Sequence, residues 1–311
     1  MHTFILHRLP TLALALAPLL GACASPGPAP QGFATPEAAA KALADAARAN
    51  SEAQLLALVG AQDADLVGSG DPVEDANVRA RFAELYDQKH TIDMDASGGR
   101  ATIEVGPDQW PFPMPLVKDA RGQWAFDAAA GAEEIIDRRV GRNELATIET
   151  CRAVCDAQRE YRDLELADKG LGEYAQRFLC SAPGKHDGLY WPAEPGQPVS
   201  PLGPLVADAQ KEGYSKSKDA QPQPFHGYFY RMLTAQGPYA PGGERSYLVD
   251  GHMTQGFALI AYPAEYGSSG VMSFLVNANG IVYQADLGDE TAVIAGDMPA
   301  YDPDERWTPC E

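Results

Sequence analysis

Positive charge is scarce in this chain of 311 residues: 24 lysines and arginines stand against 43 aspartates and glutamates, a formal charge of −19. The basic residues form no cluster, and binding to nucleic acid or to anionic headgroups depends on such clusters, so nucleic-acid binding is excluded. Histidine is also thin, with six in the chain, and neither H-x-x-x-H nor H-x-H occurs. That removes the common zinc spacings. The G-x-S-x-G elbow of serine hydrolases is missing as well. Cys151 and Cys155 make a lone C-x3-C with no second pair or neighbouring histidines, a poor metal set. The conspicuous apolar run, Leu12 to Leu20, is too short and too early to be the spanning helix of a membrane protein. No metal and no cofactor is expected, and no catalytic motif stands out.

What is present begins with a targeting signal over residues 1–22. Arg8, with His2 and His7, forms a basic start, followed by the apolar run and then small residues. Leu20-Gly21-Ala22-Cys23 resembles the lipobox of bacterial lipoproteins, with glycine and alanine in swapped order. The resemblance implies that Cys23 becomes the acylated first residue. The competing reading is a plain secretory signal that leaves Cys23 as a free thiol. Residues 23–32 are the lipidated cysteine and a Pro-rich spacer, SPGPAPQ. Ala24 follows Cys23 where an inner-membrane lipoprotein often carries Asp, so the expectation is a lipid-anchored body on the periplasmic face of the outer membrane. The membrane is touched only through the anchor.

Four cysteines remain, and an even number in an oxidising compartment points to disulfides. Cys151 and Cys155 lie one turn apart on one helix, a poor geometry for pairing with each other. The favoured scheme joins Cys155 to Cys180 and Cys151 to Cys310, with a buried, unpaired Cys151 as the alternative.

Two α+β modules are expected, over residues 33–131 and 132–311. In the first, Thr35-Pro36-Glu37 opens a helix to Ala49, Ser51 opens another to Gly60, and Asp71-Pro72 a third to Lys89, with Val78, Phe82, Leu85 and Tyr86 inward. Strands follow over Thr91–Met94, Arg100–Val105, Pro113–Lys118 and Gln123–Asp127. The wording FATPEAAAKALADAARANSEAQLLALV, with GQWAFD later, resembles small cone-shaped domains of the nuclear-transport-factor-2-like type. That resemblance implies a curved sheet with a pocket, for which Trp110, Phe112, Pro113 and Pro115 are candidate lining residues. A capped core is the plainer role for them.

The second module is organised by Ala132 to Leu164. Leu145, Ile148, Cys151, Val154, Cys155 and Tyr161 recur at helical spacing and form a dry stripe, and Gly141 is expected to break the segment in two. A loop-rich stretch from Glu165 to Gln223 holds expected helices at Tyr174–Leu179 and Pro201–Tyr214. Strands are expected at Phe225–Thr234, Tyr247–Asp250, Gly256–Tyr262, Gly270–Val276 and Ile281–Gln284, with the tail pinned at Cys310. The segments NELATIETCRAVCDAQREY, GYFYRMLTA and GFALIAYPAEYGSSGVMSFLVNANGIVYQADLG resemble the globular part of type IV pilins and pseudopilins. Pilins assemble through a leading apolar helix. Here a whole module and a lipobox come first, so the fold alone is carried over. Across most of the chain, GDPVEDANVRARFAELYDQKH, WPFPMPLVKD, AGAEEIIDRRVGRNELATIE, GLYWPAE and SPLGPLVADA resemble a bacterial family of secreted proteins known only as a domain of unknown function.

The densest functional-looking cluster is Lys185 to Trp191, where His186 and Asp187 sit beside Tyr190 and Trp191 on a loop. The plainer reading is a packed loop with the aromatics filling a core edge. His226 and His252 lie on strand or turn positions, and Glu265 precedes a Gly/Ser turn containing Ser268. The leading functional expectation is a non-catalytic, lipid-anchored cell-envelope protein that binds a protein partner or a small envelope ligand. One alternative is a periplasmic hydrolase, which requires His186, Asp187, His226 and Glu265 to converge. Another is a pseudopilin-like assembly component.

Overall fold

A computed structural model describes residues 30–215 and 222–310, so the signal segment, the lipobox and Cys23 lie outside the described residues. The architecture is α+β. Three capped helices open the chain. Thr35 Oγ1 accepts the Ala38 N–H and Pro36 occupies the first turn of Pro36–Arg48, while Ser51 caps Glu52–Val59 and Asp71 caps Pro72–Gln88. Ala39, Ala40, Ala44 and Ala46 are buried, and their small side chains let the first helix lie close to Pro72–Gln88. Strands His90–Met94, Arg100–Val105, Leu116–Lys118 and Trp124–Phe126 then pair antiparallel in chain order, with Trp110–Pro111 added beside the second. Ala101, Ile103 and Val105 face inward while Thr102 and Glu104 are half-exposed, the period-two alternation of a sheet covered on one side. Leu43, Leu58, Tyr86, Ile103, Leu116 and Phe126 fill the first core. Val78 is 42% exposed and does not belong to that core.

One helix of 42 residues, Ala128–Lys169, runs from this region into the next, capped by Asp127 and closed by Gly170 at φ 70°. Gly141 does not break it. This glycine faces open space, so it costs helix propensity only, about 1 kcal/mol, and packing on either side holds the helix through it. The dry stripe also differs from expectation. Leu145 is 68% exposed and Ile148 half-buried, while Cys151, Val154, Cys155 and Tyr161 are buried as expected and Arg139, Asn143, Thr147 and Thr150 extend the buried face toward the N-terminus of the helix. Their spacing is helical, but the first half of the face is polar and escapes an apolar count.

The second core lies between this helix and a five-stranded antiparallel sheet in the order Thr308–Pro309, Tyr283–Asp286, Met272–Asn277, Ala258–Pro263, Tyr228–Leu233. Leu259 and Ala261 pair with Val276 and Phe274 on the face that meets the helix, where the Tyr230 hydroxyl lies 3.3 Å from Thr147 Oγ1. On the opposite face, Arg231 donates to the carbonyls of Ala295 and Met298 and ties down a short helix, Thr291–Asp297. With both faces covered, the strand Ala258–Pro263 reads ALIAYP, an apolar run without alternation.

Tyr174–Leu179 is not a helix. The Gln158 side chain takes both the N–H and the carbonyl of Ala175, and Tyr174 N–H goes to the Met253 carbonyl, so the segment's polar groups are satisfied in an extended path. Gly203–Lys211 is helical within the expected range. The tail is held by strand pairing and by the Cys310 N–H on the Val282 carbonyl, with Trp307 buried beneath it. Among the described residues, no helix is long and apolar enough to cross a membrane.

Candidate functional site

The expected loop residues are packed in place. His186 stacks on Trp191 with ring centroids 4.3 Å apart, and its carbonyl accepts the Tyr161 hydroxyl at 3.0 Å. Asp187 accepts from Ser181 N at 2.8 Å and from Ser181 Oγ at 2.6 Å. Burial works against its charge, but these two bonds hold the carboxyl below the usual range. Trp191 is buried and donates its indole N–H to the Pro198 carbonyl, and half-buried Tyr190 packs against the same core.

His226 lies in a different environment, between Glu74 and Glu212 and over the Phe225 ring. The Glu265 side chain is exposed, and its backbone N–H goes to Ser269 Oγ at 2.9 Å. Among the described residues, no hydrogen bond or ion pair joins His186 or Asp187 to His226 or Glu265, so the four do not assemble into one constellation. His252 pairs instead with Glu173 at 2.8 Å. Cys151, Cys155, Cys180 and Cys310 are free thiols in this structure, the first two buried and the others half-buried. Burial lifts Cys151 well above the usual thiol range and pushes Cys155 up to about 12.

The polar chemistry gathers instead where the N-terminal helices, the long helix and the second sheet meet. Asp71 is buried, and its Oδ2 accepts the Tyr214 hydroxyl at 2.8 Å and the Gly227 N–H at 3.0 Å. Asn143 donates to the Ser269 carbonyl, and Glu144 accepts the N–H groups of Val271 and Met272. Glu74 is held below the ordinary carboxylate range by the His226 ring and by Arg142 at 3.1 Å, against the opposing effect of burial. Arg139 is 8% exposed and donates to the carbonyls of Asp65, Leu66 and Gly68 and to Ser268 Oγ. It thereby caps the short helix Ala64–Val67 from the long helix. Burial lowers its pKa, with Asp75 and Asp65 opposing at longer range.

Beside this junction lies a cavity of about 270 Å³. Its buried lining is apolar at Leu43, Ala47, Leu55, Val59 and Met114, which form the floor, and polar at Ser69 and Arg139. Leu66, Val67, Phe82, Phe112, Pro113 and Ile135 form the walls. At the mouth stand Val78, Arg138 and Arg142, all exposed, with Arg79, Glu74 and Asp75 beside them. Phe112 and Pro113 line the cavity; Trp110, 59% exposed, and Pro115 are not among its lining residues. The sequence pattern does not single out Arg139 or Arg142: a charged residue on an amphipathic helix reads as part of its solvent face, where Arg142 does lie and Arg139 does not. The one available signal was the position of Arg139 four residues before Asn143.

In comparison with known proteins, residues 30–310 fit the model of a family described as Protein of unknown function (DUF2950). No curated protein and no solved structure matches the chain.

Proposed function

For a chain that belongs to the DUF2950 family, we propose a binding role: a non-catalytic, lipid-anchored protein of the bacterial cell envelope that takes a small envelope ligand into the cavity of its N-terminal region. The observation that carries this reading is the cavity itself. Protein interiors are close-packed, so about 270 Å³ of apolar space beside convergent polar groups has the form of a ligand site. The dispersal of His186 and Asp187 from His226 and Glu265 favours binding over hydrolysis.

The envelope location is supported by the signal-like segment, the lipobox at Cys23 and the Pro-rich spacer. Replacing Cys23 by Ala should move the protein from the membrane fraction to the soluble envelope fraction, and unchanged fractionation would count against the anchor. The pilin-like reading of the second region rests on a helix laid against an antiparallel sheet and implies no polymer.

The binding role is tested by native mass spectrometry on protein taken from its own envelope. The expected result is a species heavier by one small molecule, absent from a Val78→Trp variant whose cavity mouth is blocked. Recovery of ligand-free protein alone, or of a stoichiometric protein complex with an empty cavity, would overturn it.

A further inference from the structure

The geometry points to a single-chain anionic amphiphile as the ligand of this cavity, its acyl tail on the apolar floor and its carboxylate at the arginine mouth. The inference rests on the binding role proposed above and adds the chemistry of the occupant.

The tail follows from the floor. Leu43, Leu55, Val59 and Met114 offer no hydrogen-bonding side chain, so a polar group placed there would lose its water and gain nothing. A volume of about 270 Å³ lies near the lower end of small-molecule pockets, which run from about 300 to 1,000 Å³, and suits one slender chain.

The head follows from the charge at the mouth. Four guanidinium groups line the cavity, Arg79, Arg138, Arg139 and Arg142, against two carboxylates, Glu74 and Asp75. The hydrogen-bond partners sharpen the imbalance. Among the described residues, Arg79 bonds to Asn50 Oδ1 and the Val67 carbonyl, and Arg139 to carbonyls and the Ser268 hydroxyl, so the hydrogen bonds of both end on neutral oxygens, with Asp75 and Asp65 acting on Arg139 at longer range. Arg142 and Arg138 have carboxylate partners in Glu74 and Glu134, but Glu74 is shared with His226. In a chain of net charge −19, this is a local positive excess next to low-dielectric walls, where a charge acts more strongly than in bulk water. A carboxylate meets it with charge-assisted, bidentate hydrogen bonds. An ammonium headgroup meets repulsion.

The test uses the full chain with Cys23→Ala, so that no detergent competes, and titrates decanoate, decyltrimethylammonium and decanol below their aggregation limits by calorimetry. Decanoate should bind one per chain and about tenfold or more tighter than the ammonium probe, the size of one charge-assisted contact. Adding Arg138→Gln and Arg142→Gln together, both exposed and outside the core, should weaken decanoate about tenfold and leave decanol nearly unchanged. Val78→Trp should abolish binding of all three probes. Arg139 is left intact because four hydrogen bonds make it part of the fold. Equal or tighter binding of the ammonium, or decanoate affinity indifferent to the arginine pair, would overturn the anionic class while the cavity still binds. Failure of every probe with a folded protein, or binding indifferent to Val78→Trp, would overturn the cavity reading as well.

Discussion

Both oxygens of the Asp71 carboxylate are occupied: Oδ1 accepts the Val73 and Glu74 N–H groups at the head of their helix, and Oδ2 accepts the Tyr214 hydroxyl and the Gly227 N–H. Removing it leaves a helix uncapped and two buried donors unanswered, a loss of about 3–5 kcal/mol for Asp71→Ala. Denaturant unfolding checks this, and a loss below ~1 kcal/mol would show that water replaces the carboxylate without cost. The Asp71-Pro72 pair announces the cap in the sequence. The second role joins residues 143 and 156 positions away, a distance over which no local pattern carries information. Glu74, one turn on, makes a prediction about acid. Its pKa is lowered below the ordinary 4.5, by His226 first and Arg142 after it. A carboxylate lowered by folding contributes stability above its unfolded value, and that contribution is lost as the pH falls through the folded one. Between neutral pH and the region below pH 4.5, the native chain should therefore lose more stability than a Glu74→Gln variant. Equal acid sensitivity in parallel melts would refute the linkage.

At the scale of elements, the long helix carries two glycines that differ in everything but identity. Gly131 lies against the strand region, where an added Cβ would sit 2.7 Å from Met114 Cα and 3.0 Å from Met114 N. The backbone cannot yield there as a side-chain tip would, so Gly131→Ala should destabilise the fold by about 1–3 kcal/mol. Gly141 meets nothing within 4 Å, so Gly141→Ala should stabilise it by about 0.5–1 kcal/mol through helix propensity alone. Thermal melts of the two variants should move in opposite directions; a shift of the same sign in both would contradict the packing. The sequence shows both residues as equal interruptions in a helical pattern. Only the tertiary contact of Gly131 with Met114, a residue of the cavity floor, distinguishes them. Capped helices and β-branched strands were legible because their signals are local: Thr35, Ser51 and Asp71 begin helices where their side chains say they should. The polar half of the long helix's buried face was not legible. Arg139, Asn143 and Thr147 are dry only because carbonyls, a serine and a tyrosine from distant segments satisfy them.

Across the whole molecule, two apolar cores are connected by one helix and by a seam of hydrogen bonds rather than by a shared apolar interior. Asp71 and Asn143 are the two points where buried side chains of the first helices and of the long helix grip the Gly227 and Ser269 backbone. Hydrogen bonds of this kind contribute little net stability each, but losing one partner strands the other without water. The seam should therefore set the cooperativity between the cores more than the stability of either. Cys151 and Cys155 are buried in the second core, so under reducing conditions their labelling by a thiol reagent reports that core alone, while far-ultraviolet circular dichroism reports both. In the native chain, the two signals should trace one transition against denaturant. In the double variant Asp71→Ala/Asn143→Ala, the dichroism should begin to fall at lower denaturant than thiol exposure, because the first core, with fewer buried aromatics, melts while the second stays shut. Coincident transitions in the double variant would place the coupling in the long helix itself. The cavity belongs to the first core but borrows Arg139 and Arg142 from that helix. A seam that opens separately would therefore dissolve the cavity while the second sheet stays folded.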